Sequence, residues 1–195
     1  MRRMLLMGLC ALLVFGLGAV AVQAAGDQAT PRPSCVTATG ADDDAPGHDQ
    51  GDDNGATERE GTEGDDDEVG GADDDVIDGN AGDDAIEGRG GDDDLCGDDG
   101  DDRLTGGAGD DKLAGGPGDD VENGQAGDDD LFGDRGDDRL TGGAGRDHIS
   151  GGAGDDRISA RDGRRDTVTC GSGDDTVRAD REDRVGPSCE HVTRS

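Results

Sequence analysis

GGAGDDRIS at residues 151–159 is one unit of a series: GGAGDDKLA at 106–114, GNAGDDAIE at 79–87 and GDRGDDRLT at 133–141 follow the same plan. From Gly61 to Ser159 the chain divides into 11 consecutive blocks of nine residues. Position one is Gly in all 11, and position four is Gly in 10, with Asp73 the exception. Position six is Asp throughout: Asp66, Asp75, Asp84, Asp93, Asp102, Asp111, Asp120, Asp129, Asp138, Asp147 and Asp156. Position eight is aliphatic in nine blocks (Ile77, Ile86, Leu95, Leu104, Leu113, Leu131, Leu140, Ile149 and Ile158), with Glu68 and Glu122 breaking the column. Biased composition supplies Gly and Asp in quantity, but it does not place one aliphatic residue every ninth position. The period therefore marks a folded repeat rather than an acidic tail.

Each column has a physical task. Glycine permits positive φ and close backbone approach, as a tight loop requires. The aliphatic residue falls in a short extended stretch of about three residues, where period-two alternation turns it inward and its neighbours outward. Two blocks then make a flattened coil, and successive coils stack about 4.8 Å apart through strand hydrogen bonds. The pattern predicts an all-β fold, a right-handed parallel β-roll, which is a quasi-one-dimensional β-solenoid. Glu122 is expected to be bypassed, with a local bulge turning Val121 inward in its place.

Stacking sets position-six carboxylates of alternate blocks above one another. At about 5 Å and an effective dielectric of about 20, each neighbouring pair repels by about 3 kcal/mol before screening. A hard cation between them reverses the sign. Calcium fits best, because it accepts six to eight oxygen ligands in flexible geometry, main-chain carbonyls included. Magnesium prefers a smaller octahedral cage, and zinc prefers His and Cys, which are scarce here.

Composition agrees. Acids outnumber bases 50 to 18 across 195 residues, the net charge is −32, and Phe15 and Phe132 are the only aromatic residues apart from three histidines. A chain this acidic presents no basic face to nucleic acid and is repelled by anionic membranes. Small cations are its natural partners.

The flanks read differently. Arg2 and Arg3, an apolar run from Met4 to Val22 and small residues before Ala25 have the order of a signal peptide over residues 1–24. Past it no second apolar run follows, so no membrane span is expected after cleavage, and a secreted, extracellular protein is expected. Residues 25–60, with Pro31, Pro33 and Pro46 and few large apolar side chains, read as a flexible acidic linker. In residues 160–195 the glycines thin out, yet Asp166/Val168, Asp175/Val177, Asp183/Val185 and Glu190/Val192 keep an acid two places before an apolar residue. That segment reads as a C-terminal cap, with the 171–177 loop a further candidate for metal binding. Beyond the first 24 residues the cysteines are Cys35, Cys96, Cys170 and Cys189. In an exported chain an even count favours disulfides. Cys170 and Cys189 flank the cap and are the expected pair, which leaves Cys35 and Cys96.

The blocks also match the nonapeptide G-G-x-G-x-D-x-U-x, with U a large aliphatic residue. Over residues 61–159 the chain resembles the RTX, or hemolysin-type calcium-binding, repeat proteins, and its end resembles the tail of secreted actinobacterial members. The resemblance implies several bound Ca²⁺ ions. Each would be shared, together with main-chain carbonyls, by a position-six Asp and the one two blocks on, from Asp66 with Asp84 through to Asp138 with Asp156. Asp73, Glu68, Glu122 and Arg146, which stands where position five is otherwise acidic, depart from the pattern.

No catalytic constellation accompanies the repeats. HExxH, a nucleophile elbow and a phosphate loop are absent from the sequence. His48, His148 and His191 fall in the linker, at a position-seven site and in the tail. Position-five acids such as Asp83, Asp101 and Asp155 read as a solvated acidic edge. Lys112, Arg103, Arg139 and Arg157 at position seven read as relief of acidic repulsion. The expectation is a calcium-binding protein, not an enzyme, whose folding is coupled to metal. The alternative is a structural or adhesive surface module in which calcium only stiffens a spacer.

Overall fold

A computed structural model describes residues 58–195. The signal-peptide segment, most of the expected linker and Cys35 lie outside the described residues. The first strands in chain order are β1 (Glu58–Glu60), β2 (Asp67–Val69), β3 (Val76–Asp78), β4 (Ala85–Gly90), β5 (Asp94–Cys96) and β6 (Arg103–Ala108). They continue as β7 (Lys112–Pro117), β8 (Val121–Ala126), β9 (Asp130–Arg135), β10 (Arg139–Ala144) and β11 (His148–Ala153). The last are β12 (Arg157–Ala160), β13 (Thr167–Ser172), β14 (Thr176–Ala179), β15 (Arg184–Val185) and β16 (His191–Arg194). Odd-numbered strands form one eight-stranded sheet and even-numbered strands another, each in strict sequence order. Every pairing is parallel, and a strand's neighbour lies 18 residues away in the repeats, as Ile86 with Leu104 and Leu95 with Leu113 show. This is the parallel β-roll that the nine-residue period predicts.

Position-eight residues of both sheets meet in one core, where all nine aliphatics are 0–2% exposed. Eight strands run six residues rather than the expected three. They continue through position one into the next block, because position-one glycines let the coils approach without a side chain between them. Position two, which varies among the blocks, carries a conformational demand. Asn80, Arg89, Asp98, Gln125 and Asp134 have φ between 65° and 82°, and Gly107 and Gly143 occupy the same place at 129° and 114°. From Asn80 to Gly152 every block turns there through a left-handed residue; Thr62 and Gly71 of the first two blocks do not.

Glu122 departs from expectation. No bulge forms: Glu122 itself stands in register between Leu104 and Leu140, 1% exposed, while Val121 stays half-buried outside the core. Register continuity across β6, β8 and β10 outweighs the cost of one buried carboxyl, since a slip would turn every side chain of β8 the wrong way. At the start of the roll Glu68 faces Arg59 at 3.9 Å. A polar pair thus stands where later coils carry aliphatics. Strand β1 falls inside the stretch expected to be linker, so regular structure is already present in the three residues before Gly61.

The C-terminal segment extends both sheets through β13–β16. Its coils first lengthen to a 19-residue offset, Ile149 with Val168, and then shorten, Val168 pairing with Val185 and Val177 with Val192. The Cys170–Cys189 disulfide, with Cα atoms 5.2 Å apart, ties β13 to the chain entering β16. Cys96 is also disulfide-bonded, and its partner lies outside the described residues. Among the described residues no helix is long and apolar enough to cross a membrane.

Candidate metal centre

Position six ends each loop immediately before a strand, so its side chain turns under the loop of its own block. From Asp66 to Asp138 the main-chain N–H of each such Asp donates to Oδ1 of the Asp 18 residues on, and those of Asp147 and Asp156 donate to the one 19 residues on. Asp66 to Asp84 is 2.8 Å, Asp102 to Asp120 is 2.8 Å, and Asp129 to Asp147 is 3.1 Å. All nine expected pairs are joined this way. The column then runs on through Asp166 and Asp175 to Asp183 and Glu190.

The second carboxylate oxygen has no such partner. Oδ2 of Asp84, Asp93, Asp102, Asp111, Asp120, Asp129, Asp138, Asp147 and Asp156 is buried and receives no hydrogen bond, and the same holds for Asp166 and Asp175. Buried carboxylate oxygens are ordinarily satisfied, because stranding one costs its desolvation. A main-chain carbonyl faces the same spot. A Cβ built on Gly124 would lie 2.6 Å from the carbonyl oxygen of Gly142 and would also strike Asp129 Oδ2. On Gly133 it would lie 2.6 Å from the Gly151 carbonyl and strike Asp138 Oδ2. Gly88 and Gly151 repeat the arrangement with Asp93 and Asp156. Acceptors from two adjacent coils therefore converge where position one must be glycine, and no donor lies between them.

Two charges can fill that gap, a proton or a metal cation. Burial, reinforced by neighbouring carboxylates, pushes these acids upward against the opposing pull of the main-chain N–H. Asp93, Asp111, Asp120, Asp147 and Asp166 rise to about 6, Asp102, Asp129 and Asp156 to about 7, and Asp138 to about 8. Among the described residues no three Asp, Glu, His or Cys side chains gather as a metal site by themselves. A cation held here takes much of its coordination from main-chain carbonyls, a donor set that suits calcium rather than zinc.

The two ends of the column differ. Asp66 Oδ2 accepts from Thr62 N–H at 2.6 Å and Thr62 Oγ1 at 2.8 Å, and Asp75 Oδ2 accepts from Gly71 N–H at 2.6 Å. Those oxygens are already satisfied, so these two residues lack the feature that marks the other nine. Asp175, in the 171–177 loop that the sequence singled out as a further candidate, possesses it, and so does Asp166, read as part of the cap. The signal for Asp166 was the acid two places before Val168, obscured by a ten-residue spacing from Asp156.

Position five is more than a solvated edge. Asp83 Oδ1 accepts from Asp101 N–H at 3.1 Å, Asp101 Oδ1 from Asp119 N–H at 2.9 Å, and Asp137 Oδ1 from Asp155 N–H at 2.8 Å. This exposed column satisfies the loop donors of the next coil, while the buried column satisfies those of the preceding one. Nothing in a one-dimensional pattern separates two adjacent aspartates with opposite bonding directions. The position-seven bases lie on the outer faces, and of those named only Lys112 forms an ion pair, at 2.9 Å to Asp94.

Comparison with known proteins agrees with this geometry. The family model of the RTX calcium-binding nonapeptide repeat matches the chain four times, over residues 60–95, 97–131, 123–158 and 132–165. No match was found among curated proteins.

Proposed function

Because the chain belongs to the RTX calcium-binding nonapeptide-repeat family, we propose that it is an exported, non-enzymatic protein whose roll is completed by calcium. The observation carrying this reading is the row of buried, unpartnered Oδ2 atoms facing main-chain carbonyls of the next coil. Asp84, Asp93, Asp102, Asp111, Asp120, Asp129, Asp138, Asp147 and Asp156 would hold the ions, joined by Asp166 and Asp175, with Asp66 and Asp75 in a lesser role. Bound calcium supplies positive charge to a stack of acids that otherwise repel one another. The chain contributes the prepositioned oxygens and the side-chain-free space beside each position-one glycine.

Coupling of binding to folding follows from this distribution of charge. An extended chain keeps its carboxylates apart in water, and the roll forces them into a buried column. Only ligands that bind the folded state shift that balance, by RT ln(1 + [L]/Kd) per site. Export is supported by the order of residues 1–24, and the Cys170–Cys189 disulfide suits an oxidising compartment. The test is circular dichroism of the signal-free protein during calcium titration, with magnesium as comparator and a chelator to reverse the change. A cooperative gain of β-structure in the roughly 0.1–1 mM range typical of extracellular sites, reversed by chelation, is expected. A spectrum that ignores calcium overturns the reading.

A further inference from the structure

One place on the outside of the roll reverses its charge. Position five is Asp in ten of the 11 blocks and Arg only at Arg146. The coil after it, lengthened by one residue, brings Arg165 to the corresponding place, because Asp147 stacks on Asp166. Alongside, position seven presents His148, Thr167 and Arg184 in register on three successive strands, β11, β13 and β15. The two columns and the loop carrying Arg164 enclose an open groove of about 600 Å³.

The loop is built rather than loose. Asp162 accepts from Gly145 N–H at 2.9 Å and Arg164 N–H at 2.6 Å, and Asp180 accepts from Gly163 N–H at 2.7 Å. Gly163 turns the chain at φ 84°, and a Cβ there would meet nothing within 4 Å. Of the acids nearby, Asp162 accepts from the main chain with both oxygens, while Glu182 lines the groove and faces Arg165 at 3.7 Å, which leaves Arg165 out of the anion site. Asp147 lies beneath, buried. Arg146, Arg164 and Arg184 are exposed and make no ion pair among the described residues.

Arg103, Arg139 and Arg157 also lack ion pairs among the described residues, so what sets Arg146, Arg164 and Arg184 apart is that all three line one groove, where together they form a site for an external anion. Guanidinium forks match tetrahedral and planar oxyanions with paired hydrogen bonds. The molecule's wider negative field fades over about 8 Å at physiological salt, so it opposes a long polyanion more than a small one. We propose that this groove binds a tetrahedral oxyanion, a sulfate or phosphate group, free or carried as an ester on a small polar molecule. The site rests on the folded roll, and the arginines that form it are not calcium ligands in the reading above.

Calorimetry on the full signal-free chain in calcium tests it, with sodium sulfate as probe because sulfate stays dissolved beside millimolar calcium. Glucose 6-sulfate in a second arm separates the free ion from the ester, and chloride at matched ionic strength is the control. Saturable binding above that control is expected in at least one arm. It should weaken tenfold or more in both Arg146→Asp and Arg184→Ser. Arg146→Asp restores the residue found at position five elsewhere and an acceptor for the next coil, so folding is preserved, and Arg184→Ser lies on an exposed edge as an independent check. Absence of saturable binding in both arms, or binding unchanged in the two variants, overturns the proposal.

Discussion

Asp120 and Asp138 are linked in one direction only: Asp120 N–H donates to Asp138 Oδ1 at 2.9 Å, while Asp138 Oδ2 is buried without a donor. One oxygen holds the coils together and the other waits for a positive charge. The same carboxylate therefore stabilises the roll through Oδ1 and opposes it, while unneutralised, through Oδ2.

Replacing Asp138 with Asn separates those effects. The amide oxygen still accepts from Asp120, and the amide nitrogen donates where Oδ2 had none. Calcium binding, measured calorimetrically, should weaken about tenfold or more at the flanking sites, equivalent to at least about 1.4 kcal/mol. Without metal the variant should be more structured than the parent by circular dichroism. Asp66→Asn, where Thr62 already satisfies Oδ2, should change affinity less than threefold. Equal losses at both positions would show that the unpartnered oxygen does not mark the ligand.

Acidity should act in opposite senses with and without calcium. Folded carboxyls raised to about 6–8 exceed their ordinary value of 3.8, so the metal-free roll binds more protons than the unfolded chain. Stability of that form is fully present below about pH 4 and is lost as pH rises through about 6 to 8. In protein stripped by chelating resin, β-structure should therefore grow on acidification from pH 8 to 5. Calcium competes with the same protons, so its affinity should fall over that interval. A metal-free protein more structured at pH 8 than at pH 5 would contradict both.

Glu122 is a carboxyl in an aliphatic column. Burial first, then the nearby carboxylates of Asp138 and Asp120, push it well above the ordinary range, favouring the neutral acid. Its Oε1 accepts from Gly115 N–H at 2.9 Å, and Oε2 has no partner. Glu122→Leu matches Leu104 and Leu140 on either side and removes the stranded oxygen. Thermal unfolding in saturating calcium should show a gain of about 1–2 kcal/mol after loss of the Gly115 bond. Destabilisation with weaker calcium binding would instead place Glu122 among the ligands.

Glycines should rank by what surrounds them. Gly124→Ala drives a methyl group into Asp129 Oδ2 and the Gly142 carbonyl. It should cost about 3 kcal/mol and raise the calcium midpoint severalfold. Gly163→Ala meets open space and carries only the penalty of φ 84°, about 1 kcal/mol. Chemical denaturation in calcium orders the two, and a reversed order would remove the cradle from the account of the site.

Much of this was legible in one dimension because a solenoid is nearly one-dimensional. Each contact repeats at a fixed separation, so Asp every ninth place with an aliphatic residue two positions later determined the parallel roll, its inward face and the stacked acids. The Cys170–Cys189 pair was legible for a different reason, the even cysteine count of an exported chain and the place of both cysteines at the flanks of the cap. Tertiary structure decided what depends on direction and depth. It separated adjacent aspartates into an exposed column bonded forward and a buried column bonded backward. It turned Glu122 inward where composition favours Val121, because strand register is a property of β6, β8 and β10 together. It also gathered Arg146, Arg164 and Arg184, from three stretches of chain, on one face. Periodicity specifies which residues stack, but the oxygen left without a donor appears only when all neighbouring donors have been placed in space.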